Sequence, residues 1–165
     1  MGKHVAYVSA GSNIGDRLEN CKIGLSAIEM SGAAVIKAWS NFYMTSPVDY
    51  REQDWFVNAA VKIETDLAPA ILFKEMAAIQ TRAGRSSDAV RFGPRVLDLD
   101  IIFYDDMVMD SPELTIPHPR MHMRRFVLEP LCDIDPLVVH PVLKRNLKDL
   151  LERLDDNEQK TVVCA

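Results

Sequence analysis

The amino-acid sequence predicts a single α+β domain with a largely antiparallel sheet packed by helices. Its 165 residues fit one domain, and 48% apolar with 26% charged residues is an ordinary globular composition. Segments with strand and helix patterns alternate in a mixed order that includes several long strands. We expect one domain over residues 1–165.

Four segments have the alternating or continuous apolar pattern of strands. They cover residues 3–9, 33–44, 56–65 and 97–104. The second of these is expected to be one long strand with Val35, Trp39 and Tyr43 on the same side. A turn at Asp105-Asp106 should end the fourth.

Four other segments have helical spacing and matching signals at their ends. They cover residues 17–30, 69–83, 121–132 and 146–154. Asp16 and Asn146 can cap the first and the last of these helices with side-chain oxygens. Pro69 suits the first turn of the second helix, and Gly84 suits its end.

The charge of the chain is unevenly distributed. The net charge is −5, which argues against a general nucleic-acid or anionic-membrane binder. Residues 82–95 hold four arginines and one aspartate, and residues 118–125 hold three more arginines, so these two segments carry +6 and the rest carries −11. This distribution favours a compact anionic ligand over a long polyanion.

Signals for export or membrane insertion are missing from the sequence. The first residues lack the long apolar stretch of a signal peptide, and no apolar run approaches the ~18 residues of a membrane span. Cys21, Cys132 and Cys164 are far apart, which favours small buried residues in a reducing compartment. We therefore expect a cytoplasmic protein, and the lack of a long apolar surface stripe predicts a monomer.

The most informative segment is Arg95–Tyr104, which contains Asp98 and Asp100 within a predicted strand. Side chains alternate faces along a strand, so the aspartates should share one face, with backbones about 6.5–7 Å apart. The opposite, core-facing positions should be Leu97, Leu99, Ile101 and Phe103. Two like charges on one face favour a cation beside them, and Mg²⁺ accepts a few carboxylates plus substrate phosphates. A solvated strand face is the alternative, and the flanking arginines favour the metal.

Arginine and histidine side chains lie on both sides of the aspartates in the sequence. Those before the pair are Arg82, Arg85, Arg91 and Arg95. After the pair, a proline-rich turn contains His118, and Arg124 begins a helical segment. Guanidinium groups donate paired hydrogen bonds to phosphate oxygens, so these side chains are candidates for binding phosphate. A solvated loop remains the alternative for Arg82 and Arg91, and a structural histidine remains one for His118.

Several motifs occur together in an order that resembles a known enzyme family. They are Ala10-Gly-Ser-Asn-Ile-Gly15, Phe42-Tyr-Met-Thr-Ser-Pro47, Phe56-Val-Asn-Ala-Ala60, Gly93-Pro-Arg-Val-Leu-Asp-Leu-Asp100, and Ile116-Pro-His-Pro-Arg120 followed by Arg124-Arg-Phe-Val-Leu-Glu-Pro-Leu131. Over residues 4–155 the chain is similar to 6-hydroxymethyl-7,8-dihydropterin pyrophosphokinase, an enzyme of folate biosynthesis. The resemblance implies a domain core at about 4–155 and a short C-terminal extension. The expected fold is a ferredoxin-like α/β/α sandwich.

The resemblance implies transfer of the pyrophosphoryl group of ATP to the hydroxymethyl group of the pterin, with release of AMP. ATP would be the co-substrate, and two Mg²⁺ ions would bind Asp98 and Asp100. The residues implied in catalysis are Arg85, Arg95, Asp98 and Asp100. Those implied in ATP binding are Arg85, Arg95, Ile101, Thr115, His118 and Arg124. Those implied in pterin binding are Thr45, Pro47, Val48, Phe56, Asn58, Asp98 and Phe126.

Within the pterin set, the resemblance implies that Phe56 and Phe126 sandwich the flat ring and that Asn58 hydrogen-bonds its edge. Two positions depart from the common pattern of the family. Ser87 stands where a second arginine is frequent, and Gln80 where a glutamate is frequent. Phe92 stands where an aromatic residue, often tryptophan, is usual, and its expected role is loop packing. Closure of the loop within residues 82–95 could therefore depend more on Arg82, Arg85 or Arg91.

Two other functions remain open at this point. A metal-dependent nucleotidyltransferase could use the same aspartate pair, but it would release pyrophosphate rather than AMP. A non-catalytic regulatory domain could hold a nucleotide, although ligand sensing does not require a pair of metal-binding carboxylates.

Overall fold

The sheet is built around strand β1 (His4–Ser12), which is buried between two antiparallel neighbours. The computed structural model describes residues 4–48, 51–84, 94–154 and 159–164. On one side, β1 pairs with a strand at Phe56–Thr65, and on the other with a strand at Asp98–Tyr104. Both pairings are antiparallel, as the sequence predicts.

The predicted long strand over residues 33–44 is wrong, because the structure divides it into β2 (Val35–Trp39) and β3 (Tyr43–Thr45). Both strands pair with the same side of β4 (Phe56–Thr65). Between them, the Ser40 hydroxyl accepts a hydrogen bond from the Ala60 backbone N–H at 2.8 Å and interrupts the ladder.

The predicted common side for Val35, Trp39 and Tyr43 is also wrong. A β-bulge between Ile36 and Ala38 shifts the register, so Val35 lies opposite Glu64 and Trp39 opposite Val61. Residues that are three positions apart on β4 point to opposite faces. Trp39 therefore shares the face of Val61, whereas Tyr43 lies opposite Asn58 on the other face.

Helices α1 (Arg17–Met30) and α2 (Pro69–Arg82) cover one face of the sheet, as predicted. The Asp16 carboxylate accepts a hydrogen bond from Glu19 N–H at 3.2 Å and caps α1, and Gly84 ends the α2 segment with a φ of +106°. Cys21 of α1 is fully buried in this core, and its burial raises the pKa of the thiol to about 12.

Strand β5 (Asp98–Tyr104) pairs with β1 on the side opposite β4. Its core contacts differ from the prediction at one position. Leu99 and Ile101 lie in the core under α1 and α2, as expected. Phe103 lies in the core on the opposite face, because a bulge at Ile102 reverses the alternation between Ile101 and Phe103. Two short strands, β6 (Met109–Asp110) and β7 (Thr115–Ile116), form a separate ladder that the sequence did not reveal.

The second face of the sheet is covered by α3 (Arg125–Ile134) and α4 (Leu147–Glu152). The predicted helix over 121–132 is wrong at its beginning: a 3₁₀ turn at Met121–Met123 is followed by extended backbone at Arg124, where φ is −118° and ψ is 106°. Asn146 caps α4 as predicted, because its carboxamide oxygen accepts from Asp149 N–H at 2.8 Å.

Strand β8 (Thr161–Val163) extends the sheet beyond β3 and was not predicted. Helices on both faces of an antiparallel sheet confirm the α+β class and the α/β/α layering. Among the described helices, none has the length and apolar character to cross a membrane.

Candidate active site

The candidate site lies on the sheet face that is covered by α3, and it depends on the register of three strands. Gly11 of β1 lies opposite Asn58 of β4 and also opposite Asp98 of β5. Two residues earlier, Ser9 lies opposite Asp100. Directly opposite residues of antiparallel strands share a face, so both carboxylates and the Asn58 amide point to the same side of the sheet.

These side chains open into a pocket of about 620 Å³, which includes the space at its mouth. It is lined by Ser9, Gly11, Thr45, Ser46, Pro47, Val48, Phe56, Asn58, Asp98, Asp100, Arg124 and Phe126. A few polar groups converge in a partly apolar wall, as is usual in small-molecule sites. The pocket brings together all seven predicted pterin residues, along with Asp100 and Arg124.

Asn58 is held in one orientation by the strands around it. Its carboxamide oxygen accepts a hydrogen bond from the Thr45 hydroxyl, and its Nδ2 donates to the Ala10 carbonyl at 3.3 Å. A carboxamide can make four hydrogen bonds, so these two contacts fix the group and leave capacity for a ligand. Asn58 is only 5% exposed, which suits a group that recognises a ligand edge.

Gly11 allows this placement of Asn58. A Cβ atom at position 11 would lie 2.7 Å from Asn58 Nδ2, which is closer than real Cβ contacts. Any larger residue would therefore displace the amide. The role of Gly11 in this site is therefore steric.

Asp98 and Asp100 supply hard oxygen donors on one face of β5. Asp98 is half-buried and Asp100 is exposed, so both can reach a ligand in the pocket. Among the described residues, no group of three or more acidic, histidine or cysteine side chains forms a complete metal cage. Two carboxylates are nevertheless a fitting donor set for Mg²⁺, which completes its shell with phosphate oxygens and water.

Arg95 lies just before this strand and is held by Asn13. The Asn13 carboxamide oxygen accepts from Arg95 N–H at 2.8 Å, and Asn13 N–H donates to the Arg95 carbonyl at 2.9 Å. Asn13 Nδ2 also donates to the Gln53 side chain and the Asp54 carbonyl at 2.9 and 3.1 Å. Asn13 thus joins two segments next to the pocket, and the sequence reasoning did not identify it.

Arg124 and Phe126 lie at the beginning of α3 and contact each other. The guanidinium carbon of Arg124 is 5.4 Å from the centre of the Phe126 ring, within cation–π range. The sequence places one of these residues in the ATP set and the other in the pterin set. The structure therefore brings members of the two predicted sets into direct contact.

The surroundings of His118 favour its neutral form at physiological pH. Burial, and then the positive charges of Arg124 and Arg120, lower the pKa of its imidazole from 6.5 to about 4. Its Nδ1 accepts a hydrogen bond from Arg120 N–H at 3.2 Å, so the neutral ring carries its proton on Nε2. His118 can therefore donate one hydrogen bond to a phosphate oxygen.

Among the described residues, four members of the predicted ATP set do not line the pocket: Arg95, Ile101, Thr115 and His118. The Ile101 side chain is 3% exposed in the core, so a nucleotide could contact only its backbone. Thr115 lies in β7 and donates to the Asp110 carboxylate at 3.2 Å. Arg85, like Ser87 and Phe92, lies outside the described residues.

The departure at Gln80 has a structural explanation. Gln80 is buried, and its side-chain oxygen accepts from the backbone N–H of Leu99 at 3.1 Å, between the two aspartates. A glutamine retains the carbonyl acceptor that a glutamate would provide and carries no charge.

Three residues of the pocket wall were missed by the sequence reasoning as site residues. Ser9 and Gly11 occupy alternate positions of β1, and Ser46 lies between two predicted residues. The period of two along β1 is a signal that could have found Ser9 and Gly11 once the pairing with β5 was known.

Comparisons with known proteins identify the family. Residues 7–136 match the family model for 7,8-dihydro-6-hydroxymethylpterin-pyrophosphokinase. A relative from Bacillus subtilis, 2-amino-4-hydroxy-6-hydroxymethyldihydropteridine pyrophosphokinase, is 39% identical over 131 residues, which cover 79% of this chain and 78% of that protein. The folic acid synthesis protein FOL1 of Dictyostelium discoideum is 42% identical over 142 residues, or 86% of this chain and 21% of that protein.

Two further comparisons concern longer proteins. The chain spans about a fifth of the length of the relatives from Dictyostelium discoideum, Schizosaccharomyces pombe and Pneumocystis carinii. A crystal structure of a Plasmodium falciparum HPPK-DHPS triple mutant has a TM-score of 0.72 and 16% identity, covering 92% of this chain and 44% of that chain. At that identity the likeness concerns the fold. Together, the family model and the Bacillus relative show that this chain belongs to the 7,8-dihydro-6-hydroxymethylpterin-pyrophosphokinase family.

Proposed function

We propose that the chain transfers the β,γ-pyrophosphoryl group of ATP to the hydroxymethyl group of 6-hydroxymethyl-7,8-dihydropterin and releases AMP, a step in folate biosynthesis. One observation carries the proposal: a single pocket combines a fixed amide, two aromatic rings and a pair of carboxylates. The amide and rings suit a flat heterocycle, and the carboxylates suit a metal–phosphate group. The catalytic unit is proposed to be one domain that acts as a monomer in the cytoplasm.

The pterin would be recognised by its shape and by its hydrogen-bonding edge. Phe56 and Phe126 both line the pocket, and offset stacking on a ring is worth about 1 kcal/mol beyond the buried area. Asn58 is fixed by Thr45 and Ala10, so it needs little reordering when it meets the ring edge. These contacts favour a planar heterocycle over an aliphatic alcohol.

In the reaction, the pterin hydroxyl oxygen attacks the β-phosphorus and its proton passes to solvent. The bond from this phosphorus to the bridging α-phosphate oxygen breaks, and AMP leaves. Asp98 and Asp100 would hold two Mg²⁺ ions, which when bound offset phosphate charge and lower the pKa of a coordinated hydroxyl. Stacking of the ring keeps the hydroxyl in line with the breaking bond. Arg124 and Arg95 would offset the charge that develops on the phosphate oxygens.

His118 would act in its neutral form as a hydrogen-bond donor. Its Nδ1 is engaged by Arg120 N–H, so its Nε2–H is the group that can reach a phosphate oxygen. Because Arg124 and Arg120 already supply positive charge, the histidine can orient a phosphate without adding another charge.

The direct test is to identify the nucleotide product. We expect the chain, incubated with ATP, Mg²⁺ and 6-hydroxymethyl-7,8-dihydropterin, to form AMP and the pterin diphosphate in equal amounts. Omission of the pterin should abolish AMP formation. Release of pyrophosphate would instead indicate a nucleotidyltransferase, and ATP binding without turnover would indicate a regulatory domain.

Substitution of either aspartate should abolish most of the activity and leave the fold intact. Asp98→Ala and Asp100→Ala should each lower kcat/KM at least about 1,000-fold, since each removes a donor for a metal whose charge stabilisation is worth several kcal/mol. Steady-state kinetics and circular dichroism check this prediction. Asp106→Ala, at an exposed turn, is the control and should retain activity. Unchanged turnover in both pocket variants would disprove the metal assignment.

Loss of the Phe126 ring should weaken the binding of pterin more than that of ATP. For Phe126→Ala we expect a roughly tenfold higher Kd for the pterin, because both stacking and apolar contact are lost, and a less than threefold change for ATP. Phe126→Leu keeps much of the apolar contact and should lie between the wild type and Phe126→Ala. Isothermal calorimetry measures both ligands, and equal losses for both would contradict the stacking role.

The low pKa of His118 predicts that stability falls at mildly acidic pH. Between pH 4 and 6.5 the unfolded chain binds more protons than the folded chain, so this contribution is complete above pH 6.5 and is lost as the pH falls toward 4. The expected loss between pH 7 and pH 5 is about 2 kcal/mol. Urea unfolding at both pH values should show a smaller loss for His118→Gln. An identical loss in both proteins would refute the prediction.

A further inference from the structure

The beginning of α3 is capped by a residue from the far end of the chain. Arg124 is the N-cap residue, but a guanidinium has only donors and cannot accept a hydrogen bond from helix N–H groups. Gln159 supplies the acceptor, because its side-chain oxygen accepts from Arg125 N–H at 2.7 Å. Its Nε2 donates to the Met123 carbonyl at 2.9 Å. Gln159 thus holds the backbone on both sides of Arg124.

The residues after Gln159 are bonded to the opposite wall of the pocket. Lys160 N–H donates to the Ser46 hydroxyl at 2.8 Å, and Ser46 N–H donates to the Lys160 carbonyl at 2.9 Å. Strand β8 then continues along β3, with Thr161 opposite Thr45 and Val163 opposite Tyr43. Residues 159–163, hereafter the C-terminal segment, therefore connect the beginning of α3 to β3.

Both places that the C-terminal segment touches carry pocket residues. Arg124 and Phe126 line the pocket from the beginning of α3, and Thr45 and Ser46 line it from the end of β3 and the residue after it. We propose that Gln159 is a positioning residue, and that the C-terminal segment sets the spacing between these two walls. It would act on the pterin through Phe126 and Thr45 without contact of its own. The identity of the ligand rests on the proposed function.

The match to the family model ends at residue 136, before the C-terminal segment. The positioning role rests on the contacts of this chain. A second side chain of the same segment provides a matched comparison. Thr161 donates to the Glu129 side chain at 3.3 Å, and Glu129 does not line the described pocket.

The test compares Gln159→Ala with Thr161→Val, each in the full chain. For Gln159→Ala we expect a five- to tenfold higher Kd for 6-hydroxymethyl-7,8-dihydropterin and a less than twofold change for ATP, measured by calorimetry below the unfolding temperature. Thr161→Val should bind both ligands like the wild type. Gln159→Glu keeps an acceptor for Arg125 N–H and should lose less pterin affinity than Gln159→Ala.

Amide hydrogen exchange of the ligand-free proteins separates this inference from the proposed function. Gln159→Ala should speed exchange at least fivefold in residues 43–48 and 123–128, and Thr161→Val should not. If the wild type binds no pterin, the proposed function fails, but faster exchange in both walls still supports the positioning role. A folded Gln159→Ala protein with wild-type exchange would overturn it. Wild-type pterin affinity in that variant, or an equal loss in Thr161→Val, would also overturn it.

Discussion

The pocket depends on the antiparallel register that β1 holds with β4 and β5. This register places Gly11 between Asn58 and Asp98, and Ser9 beside Asp100. Side chains alternate faces, so a slip of one residue would turn the amide or the carboxylates toward α1 and α2. The buried apolar residues of β1 oppose such a slip, because their face is packed under those helices.

The turn after β1 positions two segments that lie outside the sheet. Asn13 follows the strand directly and binds both main-chain groups of Arg95, while its Nδ2 binds the segment at Gln53 and Asp54. A buried amide that lost these partners would leave polar groups unsatisfied, at a cost of about 1–3 kcal/mol for each group. Strand β1 therefore fixes the base of the pocket, and Asn13, the residue after it, fixes the segments at Arg95 and at Gln53 and Asp54.

The sequence predicted the parts of the fold that depend on local patterns. The period of two placed Asp98 and Asp100 on the face opposite Leu99, and end signals located α1, α2 and α4. Two of the errors, at Trp39 and Phe103, occur where a bulge changes the period. Such bulges arise from pairing with a distant strand, so a single strand pattern does not reveal them.

Motif resemblance identified one part of the site, and the folded structure was needed to identify the rest. Motif resemblance found most of the residues of the pocket wall, because their types and order are distinctive. It could not find Asn13 as an anchor or Gln159 as a cap, because each acts through hydrogen bonds to segments 30 or more positions away. Side chains that position others leave no local pattern, and the folded chain is needed to identify them.

The beginning of α3 explains how one small domain could align two substrates. Arg124 and Phe126 are two positions apart, and the cation lies over the ring. Under the proposed function, the phosphate group and the pterin would each contact one of these two side chains. Their relative position would then be fixed by one piece of backbone, which Gln159 holds on both sides of Arg124. In-line transfer loses rate steeply when the reacting atoms are slightly misplaced. A shared anchor for both substrates would therefore help to keep those atoms aligned.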